Sequence, residues 1–480
     1  MNNERPKVEV QRDSTEHKVP IDSNPAASGD EDDDDDGNSL NVDAEVNNRM
    51  ENTQQDGLYK LRELINNIKI TFMKGKGNEE AERIKVKKVH VDNTKYYIPV
   101  QFKFFNLIGK GSYGNVLSVF TDSAAKTKFL KFNERYDEKG DLACMAIKYL
   151  YAPFRSTFIA SRALRELSIL RALDHPNLIK IHYAYCVANK DDDLWQIYLC
   201  TELAHTNLKN LKKKTLTHSY FSYIIYQIVC GLLHMHDHHI IHRDLKPANI
   251  VIYTNCHVKI LDFGLSRTTD IKMTPYVVTR YYRAPEIIFG MEYNEKVDLW
   301  SVGCILGELL IDKILLCGKS SLHQWMLIVE LLGIPSDEFF KKMPPKLESM
   351  VKSKTKTYDS VGQFDKVFNE ERMQRGDSDA ESKYCLQLLR NLLVIDSQYR
   401  WNDQKTLNSD YLATWQEEEE LNYRDLRIDL DFSFEKDAEF HIDAYRDAFR
   451  NLLWKSEIVS KKNTTAANAD ALKATKSTTD

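Results

Sequence analysis

The chain has no CxxC pair; its 8 cysteines are scattered along 480 residues. That spacing argues against zinc ribbons and disulfide frameworks and points to a reducing compartment. A long uninterrupted apolar run is also missing. The most apolar stretches are broken by Gln227 in one case and by Glu308, Asp312 and Lys313 in another, so they predict buried helices, not membrane spans. The opening MNNERPKVEV has no apolar core, which argues against a secretory signal. A formal net charge of -5 gives no sign of a general nucleic-acid or membrane binder. Hydrophobic content of 42% and charged content of 29% fit a soluble globular protein, expected to be intracellular, with one large domain and tails.

What the chain does have is concentrated between Ile240 and Glu286, which carries HRDLKPAN, DFG, TPY and APE in that order. These are parts of phosphoryl-transfer chemistry, which needs a nucleophile aimed in line and cations to neutralise charge on the phosphoryl oxygens. Asp244 can accept the proton of a substrate hydroxyl, and Lys246 can offer a cation to the transferred phosphate. Asn249 and Asp262 are oxygen ligands of the type Mg²⁺ prefers. The segment resembles the catalytic and activation loops of a eukaryotic protein kinase. TPY followed by VVTRYYRAPE further resembles the c-Jun N-terminal kinase branch of the MAP kinases. The resemblance implies the bilobal α+β kinase fold, ATP and Mg²⁺ as cofactors, and a kinase domain over about 104–415 with its small lobe ending near 203.

Ahead of that domain, residues 1–57 are polar and carry the acidic run Asp30 to Asp36; such a composition predicts a disordered, solvated tail. Leu58, Leu61, Leu64, Ile65, Ile68 and Phe72 recur at helical spacing, predicting an amphipathic helix that packs on the domain or docks a partner. A Lys- and Glu-rich linker runs to Lys88, and a β-hairpin is expected over 89–103. Gly109, Gly111 and Gly114 then form G-x-G-x-x-G, where glycines let the backbone approach phosphates; alone, this motif would equally suggest a Rossmann turn.

By resemblance, Lys148 in CMAIKYL pairs with the α- and β-phosphates and with Glu166 of the C-helix segment ASRALRELSILRAL. The resemblance also implies a nucleotide site made by Ile108, Gly109, Gly111, Ser112, Gly114, Val116, Ala146, Lys148, Val251, the gatekeeper Thr201, and the hinge from Glu202 to Ala204. Lys209 stands where close relatives carry a cysteine, so thiol-directed inhibitors are not expected to react there. An insertion within roughly Thr121 to Asp141 departs from the family and is expected to be a surface loop. The histidines His234, His236, His238 and His239 lack Cys or Asp/Glu partners at ligand spacing, so no metal is expected on them.

Thr274 and Tyr276 match the dual-phosphorylation motif. Each phosphate would add about -1.5 to -2 charge and three acceptor oxygens. The implied receptors are Arg165, Arg243 and Arg267 for the threonine, with Arg162 assisting, and Arg280 and Arg283 for the tyrosine. The segment between Asp262 and Thr274 is slightly shorter than in close c-Jun N-terminal kinases. Thr279 matches the threonine that contacts the catalytic Asp and Lys, and the loop after it implies Ser-Pro or Thr-Pro substrates. Glu286 is expected to pair with Arg400, and Asp298 to support the catalytic-loop backbone. Trp415 at the end of the kinase domain, with Glu417 and Glu420 of the 416–458 region, suggests an acidic docking patch, followed by a helix returning to the small lobe; 459–480 is expected to be disordered.

The reading is a proline-directed serine/threonine kinase switched on by an upstream dual-specificity MAP kinase kinase. Its expected partners are transcription factors and other protein substrates with basic docking motifs, together with phosphatases and scaffolds. It is expected to be monomeric, with no nucleic-acid or membrane partner, and to act in cytoplasm and nucleus. The alternatives are an inactive kinase-fold scaffold working through the acidic patch, and a kinase of another MAP or cyclin-dependent branch; the central Pro275 and the absence of a PSTAIRE-like segment argue against the latter.

Overall fold

IKVKKVHV alternates apolar residues with lysines, the period of a strand with one buried face. It forms β1 (Ile84–Val91), with Ile84 and Val86 buried, paired antiparallel with β2 (Thr94–Pro99). Asp92 and Asn93 make the turn at φ 46° and 62°, a left-handed pair that short polar side chains tolerate and that suits strand twist. The hairpin therefore starts five residues before the expected Val89; within this linker-like stretch Lys85 and Lys88 are exposed.

The computed structural model describes residues 84–111, 114–122, 142–188, 194–211, 216–268, 280–355, 361–369, 379–416 and 441–458. The expected tails, the 58–72 helix, most of the Thr121–Asp141 insertion, Ser112, Thr274, Tyr276, Thr279, Glu417 and Glu420 lie outside these residues.

The small lobe continues with β3 (Lys103–Gly111), β4 (Gly114–Asp122), β5 (Leu142–Leu150), helix α1 (Thr157–Ala172), β6 (Ile181–Ala188) and β7 (Leu194–Glu202). Ser156 caps α1 by accepting from Ile159 N at 3.3 Å. Alternation along β5 sorts its side chains. Met145, Ile147 and Tyr149 enter a core with Leu117, Val119, Tyr96 and Tyr198, leaving Ala146 and Lys148 for the opposite face of the sheet. Buried tyrosines tie the hairpin to this core: Tyr185 Oη donates to Tyr97 O at 2.6 Å, and Tyr97 N donates to Tyr198 Oη at 3.0 Å.

The large lobe is helical: β8 (Thr206–Asn207), α2 (His218–Asp237), β9 (Ile240–Ile241), β10 (Ile250–Ile252), β11 (Val258–Ile260), β12 (Arg267–Thr268), α3 (Pro285–Ile288), α4 (Lys296–Ile311), α5 (Ser321–Leu332), α6 (Asp337–Lys341), α7 (Pro345–Thr355), α8 (Phe364–Val367), α9 (Asp379–Leu392) and α10 (Asp403–Leu407). The two apolar stretches noted in the sequence are α2 and α4. From Val297 to Leu310, α4 is buried throughout, the pattern of a central core helix. No described helix is long and apolar enough to cross a membrane.

The C-terminal helix expected through Ile458 is shorter. It runs as α11 (Ile442–Leu452), and the chain then extends into β13 (Trp454–Ile458) after Leu453 adopts φ -106°, ψ 146°. α11 rests on the small lobe: Phe449 meets Phe154 edge-on at 5.5 Å, and Arg171 of α1 donates to Leu452 O at 2.9 Å. β13 enters the sheet between β1 and β6, parallel to both. Among the described residues eight strands thus form one sheet in the order β2-β1-β13-β6-β7-β5-β4-β3.

Candidate active site

Lys148 lies on β5 opposite Val116 of β4 and Leu199 of β7, with Ala146 opposite Thr201. Its ammonium reaches Glu166 Oε1 on α1 at 2.5 Å and Asp262 Oδ1 at 3.8 Å. Burial by itself would lower the Lys148 pKa; the two carboxylates overcome it and raise it, so the lysine stays charged. The expected Lys148–Glu166 pair is closed. Val116, Ala146 and Thr201 come together on the small-lobe side, and Val251 of β10 approaches from the large lobe, where it pairs with Lys259 and Asn207.

In the glycine-rich hairpin, the demand on Gly114 comes from within the sheet. A Cβ there would lie 2.1 Å from Tyr149 O, which no neighbour can relieve. At Gly109 and Gly111 a Cβ would meet its nearest atoms at 3.4 Å and 3.5 Å, which is ordinary contact, so their lack of bulk serves the cleft side. Ile108 is half exposed beside them.

The hinge contributes a buried pair that sequence reasoning missed. Glu202 Oε1 lies 2.7 Å from Lys259 Nζ and accepts from Lys180 N at 3.2 Å. Burial would raise Glu202, but Lys259 holds it below its ordinary value. Its side chain is thus turned into the protein. Lys259 sits three residues before Asp262, and no motif marks it.

On the large-lobe side, Asp244 Oδ2 is 2.5 Å from Lys246 Nζ and accepts from Asn249 Nδ2 at 3.2 Å. Asn249 Nδ2 also donates to Asp244 O at 2.9 Å, which commits the amide nitrogen and leaves its oxygen as a ligand. Asp262 has a left-handed backbone, φ 66° and ψ 73°, a strained conformation found at functional sites. Burial would raise its carboxyl, but Lys148 and Arg162 keep it below the usual range. A hard amide oxygen and an ionised carboxylate suit Mg²⁺, which takes its remaining ligands from phosphates and water. The donor set therefore fits the implied cation.

Arg162 and Arg165 both lie at Gly264 and Arg243 at Leu265, so three of the expected arginines meet at the DFG turn. Arg165, expected at the phosphothreonine, is buried and donates from Nη1 to Gly264 O at 2.8 Å, so here it holds the DFG turn; buried guanidinium donors must be satisfied, and this carbonyl is at hand. Arg162 stacks over Phe158 at 5.8 Å. Arg243 donates to Leu265 O at 3.0 Å, and Arg267 is placed by its backbone in β12 opposite Ile241. Arg280 donates to Lys319 O at 3.0 Å, while Arg283 is half-buried near Asp244, which offsets part of the lowering that burial imposes on it. Trp415 packs on Tyr223 at 4.7 Å and donates from Nε1 to Ser222 Oγ at 2.9 Å, which makes it an anchor on α2.

Support lies behind the loop. Asp298, fully buried at the start of α4, accepts from His242 N at 2.7 Å and Arg243 N at 2.8 Å, as expected. Its partner is His236, which also meets Asp403. Burial would depress His236, yet Asp403 and Asp298 raise it from 6.5 to about 10. A group raised on folding contributes fully below its unfolded pKa, and that contribution fades up to the folded one. Stability from this group is therefore expected to decline as pH rises from 6.5 to about 10. Thermal melts across that window should show the decline, and His236→Gln should flatten it.

Comparison with known proteins agrees with the geometry. Residues 102–412 match the family model described as protein kinase domain. The chain is similar to the stress-activated protein kinase JNK of Drosophila melanogaster, 36% identical over 344 residues that cover 70% of this chain and 86% of the relative. It is likewise similar to the stress-activated protein kinase JNK of Suberites domuncula, 39% identical over 331 residues, 67% of this chain and 86% of the relative.

Proposed function

The chain belongs to the protein kinases, in the c-Jun N-terminal kinase subfamily of the MAP kinases, and from that premise we propose a proline-directed serine/threonine kinase switched by phosphorylation of Thr274 and Tyr276. The observation that carries the catalytic part is the closed Lys148–Glu166 pair, 2.5 Å, facing the Asp244–Lys246–Asn249 cluster. In this reading Asp244 takes the proton from the substrate hydroxyl as the hydroxyl oxygen attacks the γ-phosphorus of ATP, and the bond from that phosphorus to the β,γ-bridging oxygen breaks so that ADP leaves. Lys246 stabilises the transferred phosphoryl oxygens, and Lys148 holds the α- and β-phosphates. Asn249 and Asp262 would hold Mg²⁺, which supplies neutralising charge when bound.

The substrate preference rests on the segment from Arg280 to Arg283, which several contacts fix. Ser301 Oγ donates to Tyr282 O at 2.8 Å, Gln324 Nε2 to Tyr281 O at 3.2 Å, and Tyr282 Oη to buried Glu308 at 2.6 Å. A fixed backbone there can select proline after the phosphoacceptor. Substrates and an activating MAP kinase kinase would dock through the acidic patch after Trp415, and the kinase would act in cytoplasm and nucleus.

The test is transfer from Mg²⁺-ATP to paired Ser-Pro and Ser-Ala peptides, before and after treatment with a MAP kinase kinase. We expect activity to rise at least about a hundredfold on treatment, consistent with positioning effects of that size, to prefer Ser-Pro, and to be lost in Thr274→Ala. Equal use of both peptides would overturn proline direction. Partner binding without transfer in any state would leave the scaffold.

A further inference from the structure

Three ionisable side chains from three helices form a buried chain behind the catalytic loop. Asp298 is 0% exposed, and the side chains of His236 and Asp403 are 4% and 7% exposed. Asp298 holds the amides of His242 and Arg243, and Arg243 sits at φ 68°, so these hydrogen bonds restrain a left-handed bend just before Asp244. The same Asp298 Oδ2 that accepts from His242 N also meets His236 Nε2 at 3.0 Å. His236 Nδ1 meets both oxygens of Asp403, each at 2.9 Å.

An imidazole with a carboxylate on each ring nitrogen donates at both only when it is an imidazolium, because a neutral ring carries one N–H. Asp403 is the first residue of α10, behind the cap that Asn402 makes to Lys405 N at 3.0 Å, so its backbone is anchored independently of His236. We propose that Asp403 is a positioning residue for phosphate transfer. It fixes His236 as a double donor, which keeps Asp298 ionised and aimed at the loop backbone, and this in turn places Asp244. The proposal rests on the kinase reading above.

The other titratable groups around His236 are Asp237 and His238 on its own helix segment, Glu295 ahead of α4, and His242 of the catalytic loop next to Asp298. His236, Asp237, His238, Glu295 and Asp403 line one cleft of about 500 Å³. In Asp403→Asn the amide oxygen can still accept from Nδ1, which preserves shape and removes one of the two charges. His236 then titrates closer to neutral pH, and the deprotonated ring cannot donate to both neighbours.

The experiment compares full-length wild type and Asp403→Asn, both activated by the upstream kinase, with kcat and the KM for ATP followed between about pH 7 and about pH 9. The expected result is a variant whose kcat falls about tenfold relative to wild type over that range while its KM for ATP stays put. A merely structural Asp403 would lower thermal stability and leave the shape of the kcat profile unchanged; superimposable profiles overturn the proposal. Histidine-labelled NMR of the wild type gives a second reading that needs no variant. His236 protonated on both nitrogens at about pH 8 supports the chain of charges, and a neutral His236 there overturns it. Wild type that transfers no phosphate at any pH sinks the kinase reading itself, a result distinct from either of these.

Discussion

Asp244→Asn is expected to lower kcat between about a hundredfold and ten-thousandfold, the range that a positioned proton acceptor contributes. The substitution is nearly isosteric. Asn249 Nδ2 keeps the Asp244 backbone oxygen at 2.9 Å, and the new amide oxygen can still accept from Lys246 or from Asn249. What disappears is the ability to take the substrate proton as the hydroxyl attacks. Because Lys148, Glu166 and the hinge are untouched, the KM for ATP should hardly move, so the loss appears in kcat. Asp244→Ala differs in kind, since it leaves Lys246 without its 2.5 Å partner and perturbs binding as well. Steady-state kinetics on an activated sample decides the matter; Asp244→Asn within a few-fold of wild type would remove the assigned role.

The second large effect concerns stability. Arg400 and Glu286 have side chains 0% and 2% exposed and are joined by two contacts, Nη1–Oε1 at 2.6 Å and Nη2–Oε2 at 3.1 Å. The guanidinium also donates to the carbonyls of Val394 and Lys296 and lies 5.0 Å from the Trp300 ring. Glu286→Gln should cost about 3–5 kcal/mol, because a buried guanidinium charge then lacks its counter-ion. Urea denaturation reads this directly. The double variant Glu286→Gln/Arg400→Met should be less destabilised than the sum of the two single changes, since it leaves no orphan charge. Full additivity would mean that the pair is not coupled. α3, which carries Glu286, ends the activation segment, so Glu286→Gln should also speed proteolysis near that segment.

Much of the site is legible in the sequence because its chemistry uses fixed spacings. Asp244, Lys246 and Asn249 lie within six residues, and Lys148 is found by the resemblance of CMAIKYL to the kinase lysine strand. The long helices announce themselves through apolar content. Charged contacts at long sequence separation are legible where the resemblance marks them, as with Glu286 and Arg400, and illegible elsewhere. The sequence does not mark Lys259 as the partner of hinge residue Glu202, because burial of an ion pair depends on which elements meet. Asp403 carries no motif, and His236 is one histidine among four. β1 is hidden by its lysines, and β13 by continuing the helical spacing of α11 for a few residues. Likeness makes Arg165 a phosphate receptor, but it does not reveal the hydrogen bond from its buried position on α1 to the carbonyl of Gly264.

The placement of β13 has a consequence for how the protein is made. Ile84, at one end of the described chain, pairs with Ser456, near the other, and Trp454 pairs with Tyr185. The small lobe is synthesised first but cannot close its sheet until the last strand has left the ribosome. Contacts of such sequence separation slow folding and leave the edges of β1 and β6 unpaired meanwhile, open to pairing with other chains. A nascent chain stalled before Trp454 should therefore be markedly more chaperone-bound and protease-sensitive in its first lobe than the released protein.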